Sequence, residues 1–461
     1  MELTKIVSAS AAIILLAGSA SAAGRSELLA SSSLSSERSL RLADLNGLNA
    51  FRIRGAPAGD LAGTSVASGD VNGDGFSDLI IGAPFADPNG SESGATYVVF
   101  GRARGLPLSV EVKDLNGSNG FAVLGEAAGD RSGRLVSAGD VNGDGFSDLI
   151  IGASGADPNG GTSGAAYVVF GAAKRFPASM NLSGLSGTNG FQIKGEGDFG
   201  TSVSTAGDMN GDGFDDIVIG SPQVGGGYGV CGAGYVVIGS AEPFPPNLSL
   251  DSSDGRVVVV GHACDELGYF GESVANLGDI NGDGFDDVTV YDKGFYSRDD
   301  ARTYIVFGEG RSEFSSSFGP AHEPMFSAGD FNGDGFGDAI TRSPDGSRAY
   351  VGFGGASPLS NWFTIKHGRG PSFRSTATAG DTNGDGLDDL IIGAPPVAYL
   401  LFGKAAVLTE TSVAEALKIE GPTPQGQYGS TGATVSSAGD VNGDGFDDVI
   451  IGAPSTDGGP G

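Results

Sequence analysis

Asp140, Asn142, Asp144 and Asp148 stand at the first, third, fifth and ninth places of the stretch DVNGDGFSD. Their oxygens alternate along the chain, so a backbone that curls about a point brings them together. Gly145 permits the positive φ that such a curl needs, and Gly143 removes a side chain that would clash. With the carbonyl of Phe146 at the seventh place, the loop offers five hard oxygen donors. That set suits Ca2+, with water filling the remaining positions. Mg2+ fits less well, because it keeps more of its own water in strict octahedral geometry.

The stretch is written seven times. D-x-N-G-D-G-x-x-D loops begin at Asp70, Asp140, Asp208, Asp279, Asp330, Asp381 and Asp440, at spacings of 70, 68, 71, 51, 51 and 59 residues. Six further donor sets follow from this register: Asp70, Asn72, Asp74, Phe76 and Asp78; Asp208, Asn210, Asp212, Phe214 and Asp216; Asp279, Asn281, Asp283, Phe285 and Asp287; Asp330, Asn332, Asp334, Phe336 and Asp338; Asp381, Asn383, Asp385, Leu387 and Asp389; Asp440, Asn442, Asp444, Phe446 and Asp448. An EF-hand opens with the same pattern but needs Glu at the twelfth place and a helix on each side. The twelfth residues here are Ile81, Ile151, Ile219, Val290, Thr341, Ile392 and Ile451. A plain Asn-Gly or Asp-Gly turn does not need the ninth-place Asp, and three carboxylates converging without a cation repel one another. The expectation is up to seven structural Ca2+ ions. They would carry +14 in all and bring the formal charge from −30 to −16.

Loops at this spacing need strands to hold them. A short alternating run precedes each loop (strand A, as in Thr201–Ser204 or Thr434–Ser437), and an apolar run follows it (strand B, as in Asp216–Gly220). Next comes a Tyr-led strand C, at Tyr97–Phe100, Tyr167–Phe170, Tyr235–Ile238, Tyr304–Phe307, Tyr350–Phe353 and Tyr399–Phe402. Strand D closes the unit, as in Gly120–Leu124 or Gly190–Lys194. β-Branched and aromatic enrichment bounded by Gly, Asn and Asp marks all of these as strands. Seven four-stranded units in radial array make an all-β, seven-bladed β-propeller over residues 38–461, a design that hides most strand edges. A strand D copy, Phe51–Arg54, precedes the first strand A and would complete the last blade. That last blade is expected to be incomplete, because no seventh Tyr-led strand C stands between strand B and Gly461. No clear strand D is legible at Glu313–Phe318, and Val413–Leu417 is the best helical stretch.

The balance of 26 basic against 56 acidic residues excludes nucleic acid and anionic membrane as partners, both of which need a positive surface. Lys5, the apolar run Ile6–Ala17 and the small residues Ala20-Ser21-Ala22 read as an export signal over 1–22, followed by a flexible Ser-rich lead-in over 23–37. The mature chain then carries no membrane span and is secreted, periplasmic or displayed at the cell surface. In an up-and-down blade, the B–C loops and D-to-A connections share the face opposite the A–B turns. Cys231 lies in a B–C loop and Cys264 in the following D-to-A connection, so the two are expected on that face, on neighbouring blades, as a disulfide. The Gly/Tyr-rich loops Gly225–Tyr228 and Gly268–Phe270 lie there too and mark the expected ligand face. Asn181 and Asn247 open glycosylation sequons for a host that uses them.

The search for catalytic residues is negative. His262, His322 and His367 form no His-Glu-x-x-His pair, and no Gly-x-Ser-x-Gly elbow is present. Gly227–Gly232 matches a dinucleotide fingerprint but leads into a strand.

Phe199-Gly200 before strand A and Gly82-Ala83-Pro84 after strand B resemble the two halves of the FG-GAP repeat. Phe270-Gly271 and Tyr428-Gly429 repeat the first half, and Gly393-Ala394-Pro395 and Gly452-Ala453-Pro454 the second. Ala62-Gly63 and Ser132-Gly133 depart from the first half, and the fourth and fifth units lack the second. The repeat builds the N-terminal propeller of integrin α chains and many bacterial exported proteins. The resemblance implies a seven-bladed propeller with calcium in the A–B loops and a ligand on the opposite face. The expected function is a non-catalytic binding or adhesion module for an extracellular protein or glycan. A secreted hydrolase or lyase on a propeller scaffold and a purely structural surface protein are the alternatives.

Overall fold

In the computed structural model, the described residues are 12–16, 39–41 and 50–454, apart from 56–58, 104–105, 162, 174, 225–230, 252–254, 264–268, 295–299, 309–314, 317–322, 357–358, 360, 369, 406–409 and 421–430. Strand B of each unit is apolar at successive positions because both of its faces are covered. Leu79 and Ile81 pack toward one neighbouring sheet and Ile80 toward the other, and all three are fully buried. The same division gives one core between each pair of adjacent sheets, such as Ile150 and Val168 against Ile217 and Ile219. An alternating side-chain period of two is what allows one strand to serve two cores.

The fold is an all-β propeller. Six blades are built wholly from strands of the repeats, not seven. Strands A to D of the first are Ser65–Gly69, Asp78–Ala83, Ala95–Val99 and Gly120–Leu124. The second has Val136–Gly139, Asp148–Ala153, Ala165–Val169 and Gly190–Lys194, and the third has Ser202–Gly207, Asp216–Val224, Cys231–Val237 and Val257–Ala263. The fourth has Phe270–Gly278, Asp287–Asp292, Arg302–Val306 and Ser315–Ser316, and the fifth has Phe326–Gly329, Asp338–Arg342, Arg348–Gly352 and Trp362–Lys366. The sixth has Ser375–Gly380, Asp389–Ala394, Val397–Leu401 and Leu417–Glu420.

The remaining sheet is composite. Thr434–Gly439 and Asp448–Ala453 come from the seventh unit and Phe51–Arg54 from the start of the propeller. Between them lies Ala12–Leu16, antiparallel to both neighbours, with Ile14 opposite Ile451 and Arg52. The place left without a Tyr-led strand is thus taken by part of the run read as an export signal. Five consecutive apolar residues suit a gap flanked by two apolar strands.

One feature of the outer rim was not foreseen. Between strands C and D, the chain crosses to the preceding sheet and adds a short parallel strand to its outer edge. Ser109–Glu111 pairs in this way with Arg52–Arg54, Ser179–Asn181 with Ala122–Leu124, and Asn247–Ser249 with Gln192–Lys194. Glu410–Ser412 pairs with Thr364–Lys366, and Ser39–Arg41 with Lys418–Glu420. The stretch read as helical, Val413–Leu417, is one 3-10 turn, Val413–Glu415, capped by Ser412 Oγ accepting from Ala414 N at 3.3 Å, and then strand. Ser315 and Ser316, the strand D missing from the sequence reading, pair with Ile305 and Tyr304. Among the described residues no helix is long and apolar enough to cross a membrane.

Candidate metal centre in the A–B loops

The loop residues singled out by spacing lie at the A–B corners, with the ninth-place Asp opening strand B, and hydrogen bonds between successive loops set all seven corners on one face. The first-place carboxylate organises the curl. Asp70 Oδ1 accepts from the N–H groups of Gly73 at 2.7 Å and Asp74 at 3.1 Å, and Oδ2 from Gly75 at 2.9 Å. Asp208, Asp279, Asp330, Asp381 and Asp440 repeat these three bonds. The fifth-place carboxylate accepts from the seventh N–H, as Asp144 does from Phe146 at 3.1 Å. The fourth and sixth glycines take positive φ, 71° at Gly143 and 84° at Gly145, so the curl has the conformation expected of it.

The ninth-place Asp is buried at the root of the loop. Asp148 Oδ2 accepts from Val141 N at 3.1 Å and Oδ1 from Gly171 N at 2.9 Å, which ties the loop to the end of strand C. Gly101, Gly239, Gly308, Gly354 and Gly403 supply the same bond in other blades. Burial pushes the carboxyls of Asp78 and Asp148 up to about 8, partly offset by these N–H groups and reinforced by the first- and fifth-place carboxylates of the same loop. Asp216, Asp287, Asp338 and Asp389 are pushed up to about 7 for the same leading reason. Asn72 and Asn442 donate from Nδ2 to the ninth carboxylate, whereas Asn142 and Asn210 accept from the fifth N–H.

Adjacent loops are joined. The eighth N–H of each donates to the first carbonyl of the loop before: Ser147 to Asp70, Asp215 to Asp140, Asp286 to Asp208, Gly337 to Asp279, Asp388 to Asp330 and Asp447 to Asp381, at 2.9 to 3.2 Å. Ser77 to Asp440, at 3.1 Å, closes the circle. Where the eighth residue is Asp, its Oδ2 also accepts from the first N–H of the preceding loop, as Asp215 does from Asp140 at 2.7 Å. The seventh-place side chain lies over the fourth-place glycine of the preceding loop. A Cβ on Gly73 would stand 2.0 Å from the Phe146 ring, and the other six glycines meet Phe214, Phe285, Phe336, Leu387, Phe446 and Phe76 in the same way. The fourth glycine therefore serves a neighbour as well as its own loop. Sequence reasoning missed the eighth-place Asp and the glycine after strand C, although that glycine recurs after every Tyr-led run and was legible as a pattern.

The donor chemistry fits a hard cation. Asp444 Oδ2 is buried with no hydrogen-bond partner, and the first- and fifth-place carboxylates Asp70 and Asp74 lie close enough to help raise the pKa of the ninth-place Asp78. Against this, no three Asp, Glu, His or Cys side chains among the described residues are gathered at metal-holding distance. The first and ninth carboxylates are occupied by backbone N–H groups.

Elsewhere, Cys231 is disulfide-bonded and no described cysteine is free. Cys264, the chain's other cysteine, lies outside the described residues, as do Gly225–Tyr228, His322 and Tyr428-Gly429. Cys231 opens strand C of the third blade, and Ala263, the last residue of its strand D, pairs with Gly232. His367 is buried edge-on against Phe373 and Tyr399 with neither ring nitrogen hydrogen-bonded. A cavity of about 370 Å³ opens on the loop face beside Asn72, Asp74, Phe100, Arg102 and Arg175.

A propeller whose blades are pinned by acidic, glycine-bearing A–B loops defines a narrow class of repeat protein. The FG-GAP repeat family matches residues 62–99, 132–169, 199–238, 373–403 and 431–461, and the chain is an integrin-alpha-like FG-GAP propeller. It is 28% identical over 235 residues to integrin alpha-4 of Xenopus laevis, 50% of this chain and 20% of that protein. It is 28% identical over 250 residues to integrin alpha pat-2 of Caenorhabditis elegans, 50% of this chain and 18% of that protein. Against phosphatidylinositol-glycan-specific phospholipase D of Bos taurus it is 32% identical over 204 residues, 42% of this chain and 23% of that protein. The chain spans about a fifth of the length of these relatives.

Proposed function

We propose that the chain is an exported, calcium-stabilised β-propeller acting as a binding module for an extracellular protein or glycan, with no catalytic role. The circle of seven mutually bonded loops carries this reading, because the same acidic, glycine-bearing sequence recurs in each of them. A cation there would pin the A–B corner of each blade and offset carboxylates that otherwise repel. The ligand face is the opposite one, where the B–C loops and D-to-A connections gather. Likeness to integrin alpha chains supports adhesion as the role. A disulfide from Cys231 to Cys264 would tie strands C and D of the third blade on that face, and the exposed Asn181 and Asn247 are the proposed glycosylation sites.

The test has two parts. Metal analysis of protein dialysed against Ca2+ should find several equivalents, with none required by a preparation whose melting is unmoved by chelator. Pull-down from extracellular extract or a glycan array should show binding lost on altering B–C loops and kept on altering the outer rim. N-terminal sequencing of the exported protein decides whether the strand at Ala12–Leu16 stays with the ring.

The match to a phosphatidylinositol-glycan-specific phospholipase D supports a second reading, a secreted hydrolase whose scaffold is this propeller. Turnover of a phosphoester or polysaccharide, abolished by one carboxylate or histidine outside the loops, would establish it.

A further inference from the structure

Five of the sheets end in the same way at the rim. A short segment from the following unit lies parallel to strand D, and its central residue (Val110, Met180, Leu248, Thr411 or Leu40) faces Ile53, Val123, Ile193, Ile365 or Ile419. Three of these segments share one pattern, apolar-Pro-x-Ser/Asn-apolar-x-apolar: Leu106–Val112, Phe176–Leu182 and Phe244–Leu250. The leading aromatic of two of them stacks on the strand it covers, Phe176 on Phe121 and Phe244 on Phe191, each at 4.3 Å between ring centroids. The backbone joins at one point, with Arg52 N donating to Leu108 O, Ala122 N to Ala178 O and Gln192 N to Pro246 O.

The third blade has no such cover among the described residues. Its strand D, Val257–Ala263, is the outer edge of its sheet. Chain length explains this. The connection that would cross to it, residues 307–314, has eight residues, whereas residues 100–119 and 170–189 give the first two units twenty each. Eight residues span at most about 26 Å fully extended, well under half the reach of twenty. Val258 stands opposite Val236 as Phe121 stands opposite Val98. Phe121 is fully buried, but Val258 and Val259 are 45% and 56% exposed, two of the three large apolar side chains exposed among the described residues.

We propose that this edge binds, in trans, an extended segment of another polypeptide carrying the apolar-Pro-x-Ser/Asn-apolar pattern. The segment adds parallel to Val257–Ala263, its leading apolar residue over Val258 and a carbonyl on the N–H of Val259, the equivalent of Ala122 and Gln192. Strand addition supplies affinity through the main chain and selectivity through alternate side chains. The occupant's chemistry comes from the ring's own covered edges, which are the same sheet position filled in cis.

A fluorescein-labelled peptide of residues 174–184 (KRFPASMNLSG) is the probe, titrated with the whole protein in Ca2+ and read by anisotropy. Saturable binding is expected, weakened about tenfold or more by Val258→Lys and by Val259→Pro. Both changes lie on an exposed edge, so unchanged melting and chromatography confirm folding. A Met180→Asp peptide should fail to bind. No binding at about 1 mM peptide would overturn the proposal and assign the bulge at Val260 the role of blunting the edge. Binding unaffected by Val258→Lys would overturn it too, since the peptide would then be displacing a native segment on a sister blade. A dimer of the protein alone, lost in Val258→Lys and unaccompanied by peptide binding, would replace the foreign segment by a second copy.

Discussion

The second and fourth blades carry the same loop at the centre of the ring and almost nothing in common at the rim. In both, the ninth-place Asp is fully buried and holds the glycine after strand C, and the eighth N–H donates to the first carbonyl of the loop before it. At the rim, the second blade ends in Phe191, stacked on Phe244 and covered by Asn247–Ser249. The fourth ends in the two-residue strand Ser315–Ser316. The FG-GAP match covers residues 132–169 of the one and none of the other. Inner loops therefore close the ring, while the rim is free to vary so long as its apolar surface is covered or reduced.

The fourth and fifth units also show why the two halves of the repeat disappear together. A Cβ on Gly152 would stand 2.4 Å from the carbonyl of Gly200, the FG glycine of the next blade, and one on Gly220 would stand 2.0 Å from that of Gly271. Each blade's Gly-Ala-Pro glycine is thus made necessary by the following blade's Phe-Gly. In the fourth and fifth units that position of strand B holds Tyr291 and Arg342, and the sixth unit carries Arg374 after Phe373. The seventh unit's counterpart to Gly393 is Gly432, whose carbonyl would lie 2.1 Å from an added Cβ.

Removing divalent ions should test the shared centre most severely, because on the calcium reading all seven loops would lose their cation together. Chelation is expected to lower the melting temperature by about 10 °C or more, since each ion at a hundred times its Kd contributes about 2.7 kcal/mol. A melt that does not move in chelator would separate the loop circle from calcium altogether. Asp148→Ala comes next. It strands the N–H groups of Val141 and Gly171, for an expected loss of about 2–5 kcal/mol by denaturant unfolding, and Asp287→Ala should match it despite the different rim. A much smaller loss in the fourth blade would break the claim of a common centre.

At the rim, Phe244→Ala should cost about 3 kcal/mol by removing the partner of Phe191. The pH response is smaller and belongs to the centre again. Without metal, the ninth-place carboxyls of Asp78 and Asp148 are raised from the usual carboxylate value near 4 to about 8, so the folded state holds their protons more tightly. Their contribution is complete below pH 4 and is lost as pH rises through 8. Melting in chelator should therefore fall between pH 5 and 8.5, and saturating Ca2+ should flatten the slope.

The centre was legible because its chemistry is local: nine residues specify the loop, and their recurrence specifies the blade. The rim was not, because its covering strands are three residues long and pair with a different unit. Ser109–Glu111 and Ser179–Asn181 carry no period of their own. The place of Ala12–Leu16 was illegible for a related reason. An apolar run of five reads equally as part of an export signal or as a buried strand, and only the vacancy beside Phe51–Arg54 distinguishes them. The eighth-place Asp went unread because its partner, the first N–H of another loop, lies some 75 residues away in the case of Asp215 and Asp140.

Val258→Ala makes the finest test of the contrast. At the register occupied by Phe121 and Phe191, truncation of a fully buried ring would be felt as a cavity. Val258 is 45% exposed and has no covering strand among the described residues, so its loss removes little buried surface and leaves no cavity. The expected change is within about 0.5 kcal/mol, the ordinary range for an exposed site. A cost near that of Phe244→Ala would mean that the edge of the third blade is covered after all, and the rim would then be as uniform as the centre. A null result alongside a severe Phe244→Ala would fix the difference between the covered and open edges as one of chain length, set by the eight residues from Phe307 to Phe314.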